Sequence, residues 1–162
     1  MMRAIFVDAT AREVPRRGKL AGLVALALLV APGGTRAQYV EDFGAYRVHY
    51  SALPTEQLLP EIARSYGIVR SHGRGLLNIA VQRSADGSAS APVRAALHGT
   101  ATSLGGQPVA LRFREITEEG AVYYLAEFPI SVPDTYRFSV SITPENATSV
   151  NVLKFSQDFV AD

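Results

Sequence analysis

From Ala45 onward, apolar side chains recur at every second position in short runs, and Gly, Pro, Asp or Asn interrupt the gaps between runs. A period of two sends successive side chains to opposite faces of an extended chain, so each run predicts a strand with one wet face. Tyr46, Val48 and Tyr50 alternate with Arg47, His49 and Ser51, and Leu77, Ile79 and Val81 alternate with Asn78, Ala80 and Gln82. Val93, Ala95 and Leu97 make a third run, Val109, Leu111 and Phe113 a fourth, and Val122, Tyr124, Ala126 and Phe128 a fifth. The cleanest is the sixth, where Tyr136, Phe138, Val140 and Ile142 oppose Arg137, Ser139, Ser141 and Thr143. Leu153, Phe155 and Phe159 predict the last strand, and Gln157, on the same parity, suggests a bulge in it.

The connections carry turn chemistry: Asp86-Gly87, Gly105-Gly106, Glu119-Gly120, Pro133-Asp134, and Pro144 to Ser149. Seven short strands at this spacing predict an all-β fold, an immunoglobulin-like seven-stranded β-sandwich, with a closed barrel as the alternative. Tyr136, just after Pro133-Asp134, sits where sandwiches place a structural tyrosine corner. One segment breaks the rhythm, and a short helix from about Pro60 to Tyr66 is expected between the first two strands. Pro60 suits the first helical position, Glu61 the positive end of the dipole, and Gly67 the left-handed stop. Ile62, Ala63 and Tyr66 would share the face packed on the sandwich, closing one end of its core.

The first 37 residues have a different pattern. Arg16, Arg17 and Lys19 precede an unbroken apolar run from Leu20 to Ala31, which Pro32, Gly33 and Gly34 end. A helix rises about 1.5 Å per residue, so this run falls well short of a hydrocarbon core roughly 30 Å thick. Residues 1–37 are therefore read as a cleavable signal peptide, with Thr35 and Ala37 as the small residues before a cut ahead of Gln38. Arg16-Arg17 leaves both the general and the twin-arginine export routes open. Residues 38–162 then form a single domain in the periplasm, with no stable membrane anchor.

Removing the leader changes the charge picture. It takes six of 16 basic and two of 15 acidic residues, so the whole-chain net of +1 becomes 10 against 13, or −3. Lys154 is then the only lysine, and no basic cluster remains to favour nucleic acid. Cysteine is absent, so the core holds the fold without a covalent staple and no lipidated cysteine can anchor it.

Leu59 to Ile68, Leu77 to Gln82, Gly99 to Leu104, Phe113-Arg114-Glu115, Tyr123 to Phe128 and Lys154 to Phe159 carry a resemblance. Together, over Phe43 to Asp162, they resemble a family of short exported proteins of Gram-negative bacteria catalogued as a domain of unknown function. The resemblance implies a periplasmic β-domain and brings no activity or site residues with it. Leu59 stands at the helix N-cap where that family carries a hydroxyl residue, which weakens the cap.

Candidate chemistry is sparse. His49, His72 and His98 are the only imidazoles and lie far apart in sequence, and both methionines fall in the leader, so no metal site or cofactor is expected. Ser71 and His72 are adjacent, yet no Gly-x-Ser-x-Gly elbow supports a nucleophile, and Glu115, Glu118 and Glu119 read as a solvated turn. No enzyme activity is expected. Arg70, His72 and Arg74 around Gly73 and Gly75 could hold an anion through guanidinium forks and backbone amides. Arg112 and Arg114 would add a basic stripe if their strands are neighbours. Tyr123 and Leu125 oppose the core-facing Val122, Tyr124 and Ala126, so this strand is apolar on both faces, and is either covered or a partner surface. The leading expectation is a non-enzymatic module binding a protein or envelope component through a sheet face or end loop. The alternative is a small-ligand or metal carrier using the Arg70–Arg74 loop and the surface histidines.

Overall fold

The computed structural model describes residues 38–84 and 90–160. The expected leader and the Asp86-Gly87 loop lie outside them. Ten strands form: β1 (Tyr39–Phe43), β2 (Tyr46–Pro54), β3 (Arg74–Arg83), β4 (Ala91–Pro92), β5 (Ala95–Ser103), β6 (Val109–Leu111), β7 (Arg114–Glu118), β8 (Ala121–Pro129), β9 (Asp134–Pro144) and β10 (Asn151–Phe159). Between β2 and β3 lie a 3-10 turn, Thr55–Gln57, and a helix α1, Pro60–Ser65. The larger sheet runs β1-β2-β3-β8-β7 with β4 against β3, and the smaller runs β10-β9-β5-β6. Every pairing is antiparallel.

The turns are set by local chemistry. Glu119 and Gly120 both have positive φ, 48° and 82°, and join β7 to β8 as a two-residue turn whose twist suits a hairpin. Gly67, at φ 61°, ends the helical segment in the left-handed region, where its lack of a Cβ removes the steric cost.

Alternation then assembles the core between the sheets. Val48, Tyr50, Leu77, Ile79, Val81, Tyr124, Ala126 and Phe128 of the larger sheet meet Ala101, Leu111, Tyr136, Phe138, Val140, Ile142, Leu153 and Phe159 of the smaller. A row of rings crosses this interior. Tyr39 stacks on Tyr50 with centroids 5.6 Å apart, Tyr50 meets Phe155 at 4.5 Å, and Phe155 stacks on Phe138 at 4.5 Å. Phe128 continues it, edge-on to Phe138 and Phe159 at 5.3 and 5.9 Å. Tyr136 Oη accepts the Ser131 amide at 2.9 Å, the backbone tie expected of a corner tyrosine.

A second cluster lies on the opposite face of the larger sheet, where Leu53, Leu76 and Leu125 pack under Leu58, Ala63 and Ile68. The helical segment therefore roofs the outer face of that sheet and does not close an end of the core. The physical reason is that β3 and β8 are apolar on both faces, and both faces must leave water.

The strands differ from the sequence expectation in further ways. Ten strands stand where seven were expected. The run Val109 to Phe113 stops as a strand at Leu111, because Arg112 and Phe113 carry the chain from the smaller sheet to the larger and Phe113 packs into the core as it crosses. β7 contains one half-buried apolar residue, Ile116, and β1 is exposed along most of its length, so neither shows alternation. Finally, β10 has no bulge: its register with β9 runs unbroken from Asn151↔Ile142 to Phe159↔Asp134, and Gln157 is half-buried at the sheet edge.

Leu125→Ala empties part of the outer cluster and is expected to destabilise the protein by about 2–5 kcal/mol. Urea unfolding followed by circular dichroism measures this; a cost within error of zero would place Leu125 outside any packed interior.

Candidate functional site

Tyr123 and Leu125, the doubly apolar strand positions, are both buried, at 8% and 3% exposure. Leu125 belongs to the cluster beneath α1, so of the two readings open for this strand the covered one describes Leu125. Tyr123 faces the same way, opposite Ile116 of β7. Burial raises its phenol above the ordinary tyrosine value, and Glu118 and Glu119 add to the effect. Tyr66, at the end of α1, donates its hydroxyl to Glu118 at 2.8 Å, and burial together with that hydrogen bond pushes its phenol up to about 12.

The Arg70–Arg74 loop is tied to its own chain. Thr55, fully buried, accepts the Ser71 amide at 3.0 Å, and its hydroxyl lies 2.9 Å from the Val69 carbonyl. Arg70 donates through Nε to the Glu56 carbonyl at 3.1 Å, and His72 Nδ1 contacts the Glu56 carboxylate. Ser71 Oγ accepts the Gly73 amide at 3.1 Å, so Ser71 and His72 turn to different partners and form no nucleophile-base pair. Arg74 reaches Glu127 at 3.4 Å across the β3–β8 pair.

Arg112 and Arg114 do not form a stripe. Arg112 lies on the crossing between sheets, whereas Arg114, on β7, donates to the Tyr66 carbonyl at 2.5 Å and stands 4.0 Å from Glu127. Glu127 thus sits between two guanidinium groups at the rim of the helical roof. Arg94 pairs with Glu115 at 3.0 Å, and Glu115 accepts the Tyr124 hydroxyl at 3.1 Å while that hydroxyl accepts the Ala95 amide at 2.7 Å. Since Arg94 and Ala95 enter the smaller sheet and Glu115 and Tyr124 belong to the larger, this group latches the two sheets at one edge.

The three histidines remain apart. His98 is exposed on β5 opposite Ser141, His72 is in the loop, and His49 is half-buried on the outer face of β2. Burial lowers the His49 pKa from its ordinary value and the nearby Gln82 side chain offsets part of the shift. Among the described residues, no three His, Asp or Glu side chains converge as a metal-ligand set. A groove between α1 and the loop is lined by Pro60, Ala63, Arg64, Ile68 and Arg70, and it is shallow and open to solvent.

Sequence reasoning missed Thr55 and Asn78, the two buried polar residues of the described chain, at 0% and 2% exposure. Thr55 follows Pro54 in what reads as a loop, and nothing local signals its role as a clamp. Asn78 occupies a wet-face parity position that the roof makes dry. The sequence also gave no weight to exposed apolar residues at strand edges. Tyr39, Val40, Val150, Val152 and Val160 are all 45% exposed or more, and all lie on or beside β1 and β10. The Tyr39–Tyr50–Phe155 ring contacts place these two edge strands on the same side of the sandwich.

Comparison with known proteins reports on the whole domain. The model of DUF4426, a domain of unknown function, matches residues 40–162. A solved structure of a DUF4426 family protein from Pseudomonas aeruginosa PAO1 is similar, with a TM-score of 0.65 and 33% sequence identity over 77% of this chain and 96% of that one. No curated protein matches. The chain belongs to the DUF4426 family.

Two outcomes follow from this geometry. Thr55→Val keeps the volume but strands the Ser71 amide, and is expected to cost about 1–3 kcal/mol with faster hydrogen exchange at Ser71; unchanged exchange there would remove the clamp. Because the folded His49 pKa is lowered, the folded state binds fewer protons than the unfolded one. Stability is therefore expected to be full above about pH 6.5 and to decline as pH falls through the folded pKa. Urea titrations at neutral and mildly acid pH, compared with His49→Gln, test this; an equal acid decline in the variant would assign it elsewhere.

Proposed function

We propose that this DUF4426 family member is an exported periplasmic protein whose immunoglobulin-like sandwich is a non-enzymatic interaction module, binding a protein or another component of the envelope. The observation that carries the reading is the distribution of exposed apolar side chains. Of the seven large hydrophobic residues exposed in the described chain, five lie on or beside the open edge strands β1 and β10. Apolar side chains collected along unpaired strand edges are a place where another chain can add backbone hydrogen bonds and bury apolar area together.

The residues that would serve chemistry support the same reading from the other side. Arg70, His72, Arg74 and Arg114 hold the loop and roof to the sheet through Glu56, Glu127 and the Tyr66 carbonyl. Their charges are engaged in building the fold, and the groove that Arg70 helps to line is shallow. The small-ligand alternative would have to break these contacts to form its site.

Crosslinking in intact Gram-negative cells tests the proposal. The full chain is expected in the osmotic-shock fraction and to capture a partner other than itself, with capture reduced several-fold in Val40→Ser/Val152→Ser. Retention in the cytoplasm, or equal capture by the variant, would overturn it.

A further inference from the structure

β10 is the free edge of the smaller sheet, nine residues long and regular from end to end. Its outward side chains alternate as Val152, Lys154, Ser156 and Asp158, all exposed, and Val160 follows at 62% exposure. We propose that this edge binds a second copy of the same chain, β10 against β10 about a two-fold axis at Ser156, joining the two smaller sheets into one eight-stranded sheet. The proposal shares its surface with the interaction reading above and names the occupant of one of its two edges.

The register follows from the side chains. A continuous sheet keeps outward residues opposite outward residues, so the axis must pass through a residue and not between two. Centring on Lys154 or on Asp158 sets like charges directly against each other, which is unfavourable. Centring on Phe155 places Lys154 opposite Ser156 and leaves Asp158 opposite Val152. Centring on Ser156 places Lys154 opposite the second copy's Asp158, and two-fold symmetry repeats the pair. The same register sets Val152 opposite the second copy's Val160, at both ends, and Ser156 opposite itself. On the inner side Leu153 then faces Phe159, and Phe155 faces Gln157, so each core extends toward its neighbour. Lys154 makes no ion pair among the described residues, and Asp158 makes one side-chain hydrogen bond, to Thr135 at 2.7 Å. Both charges are therefore available to a partner. Natural edges are commonly guarded by a single sign of charge, which repels a second copy; an edge carrying a Lys and an Asp four positions apart selects one.

Protein produced from the full-length chain is expected to sediment as a dimer in the micromolar range. Lys154→Glu alone and Asp158→Lys alone should each weaken association by about tenfold or more, and the double reversal should restore it. Because the chain has no cysteine, Ser156→Cys supplies a lone thiol on the axis and should form a disulfide-linked dimer under mild oxidation, whereas Ser139→Cys, on β9, should not. A monomer at all concentrations, no rescue by the double reversal, or equal crosslinking from both positions would each overturn the proposal. A dimer without any envelope partner would instead leave it standing and sink the interaction reading, so the two fail separately.

Discussion

The central pair of the larger sheet, β3 and β8, is apolar on both faces, and the rest of the molecule answers that constraint. Leu77, Ile79, Tyr124, Ala126 and Phe128 require the smaller sheet beneath them, and Leu76 and Leu125 require a cover above. A two-layer sandwich supplies the first. Only an extra segment can supply the second, and residues 55–70, placed between two neighbouring strands, do so. Burial of each large apolar side chain there contributes roughly 1.5–3 kcal/mol, set against the entropy lost in ordering that connection. The clamp at Thr55 and the guanidinium groups around Glu127 then fix the cover at its two margins.

Much of this was legible in the sequence because the strands that face one layer and water show strict alternation. β2 and β9 appear close to where period two puts them, whereas β5 begins two residues after Val93 and runs on to Ser103; the turn at Glu119-Gly120 and the stop at Gly67 follow from what glycine permits. The helix, too, was visible from Pro60, Glu61 and Gly67. Its destination was not, because alternation reports which residues are apolar and not which layer covers them. Tyr123 and Leu125 carried the needed signal, but a covered strand and a sticky one read alike. The edge strands were opaque for the opposite reason: β1 and β7 bury too little to leave a pattern, and β6 ends where the chain leaves its sheet.

The candidate site divided along the same line. Arginine and histidine near glycine look like an anion cradle when only their order is known. In space, Glu56 and Glu127 meet them, and the cluster becomes the fastening of the roof. What the fold leaves unfastened is its rim, where backbone groups of β1 and β10 face outward beside exposed valines and a tyrosine. The exposed apolar surface on which the proposed interaction rests thus consists of positions that local pattern treats as noise.

The row of rings from Tyr39 through Tyr50, Phe155 and Phe138 to Phe128 has an optical consequence. The chain contains seven tyrosines and no tryptophan, so its near-ultraviolet signal comes from tyrosine and phenylalanine alone. Tyr50 and Phe155 belong to different sheets and touch at 4.5 Å, which ties the chirality of their absorption to the docking of one sheet on the other. Tyr39, nearly half exposed, stands at the open end of that row. An intrinsic chromophore, sensitive to anything that settles beside the first strand, is therefore built into the edge without a label.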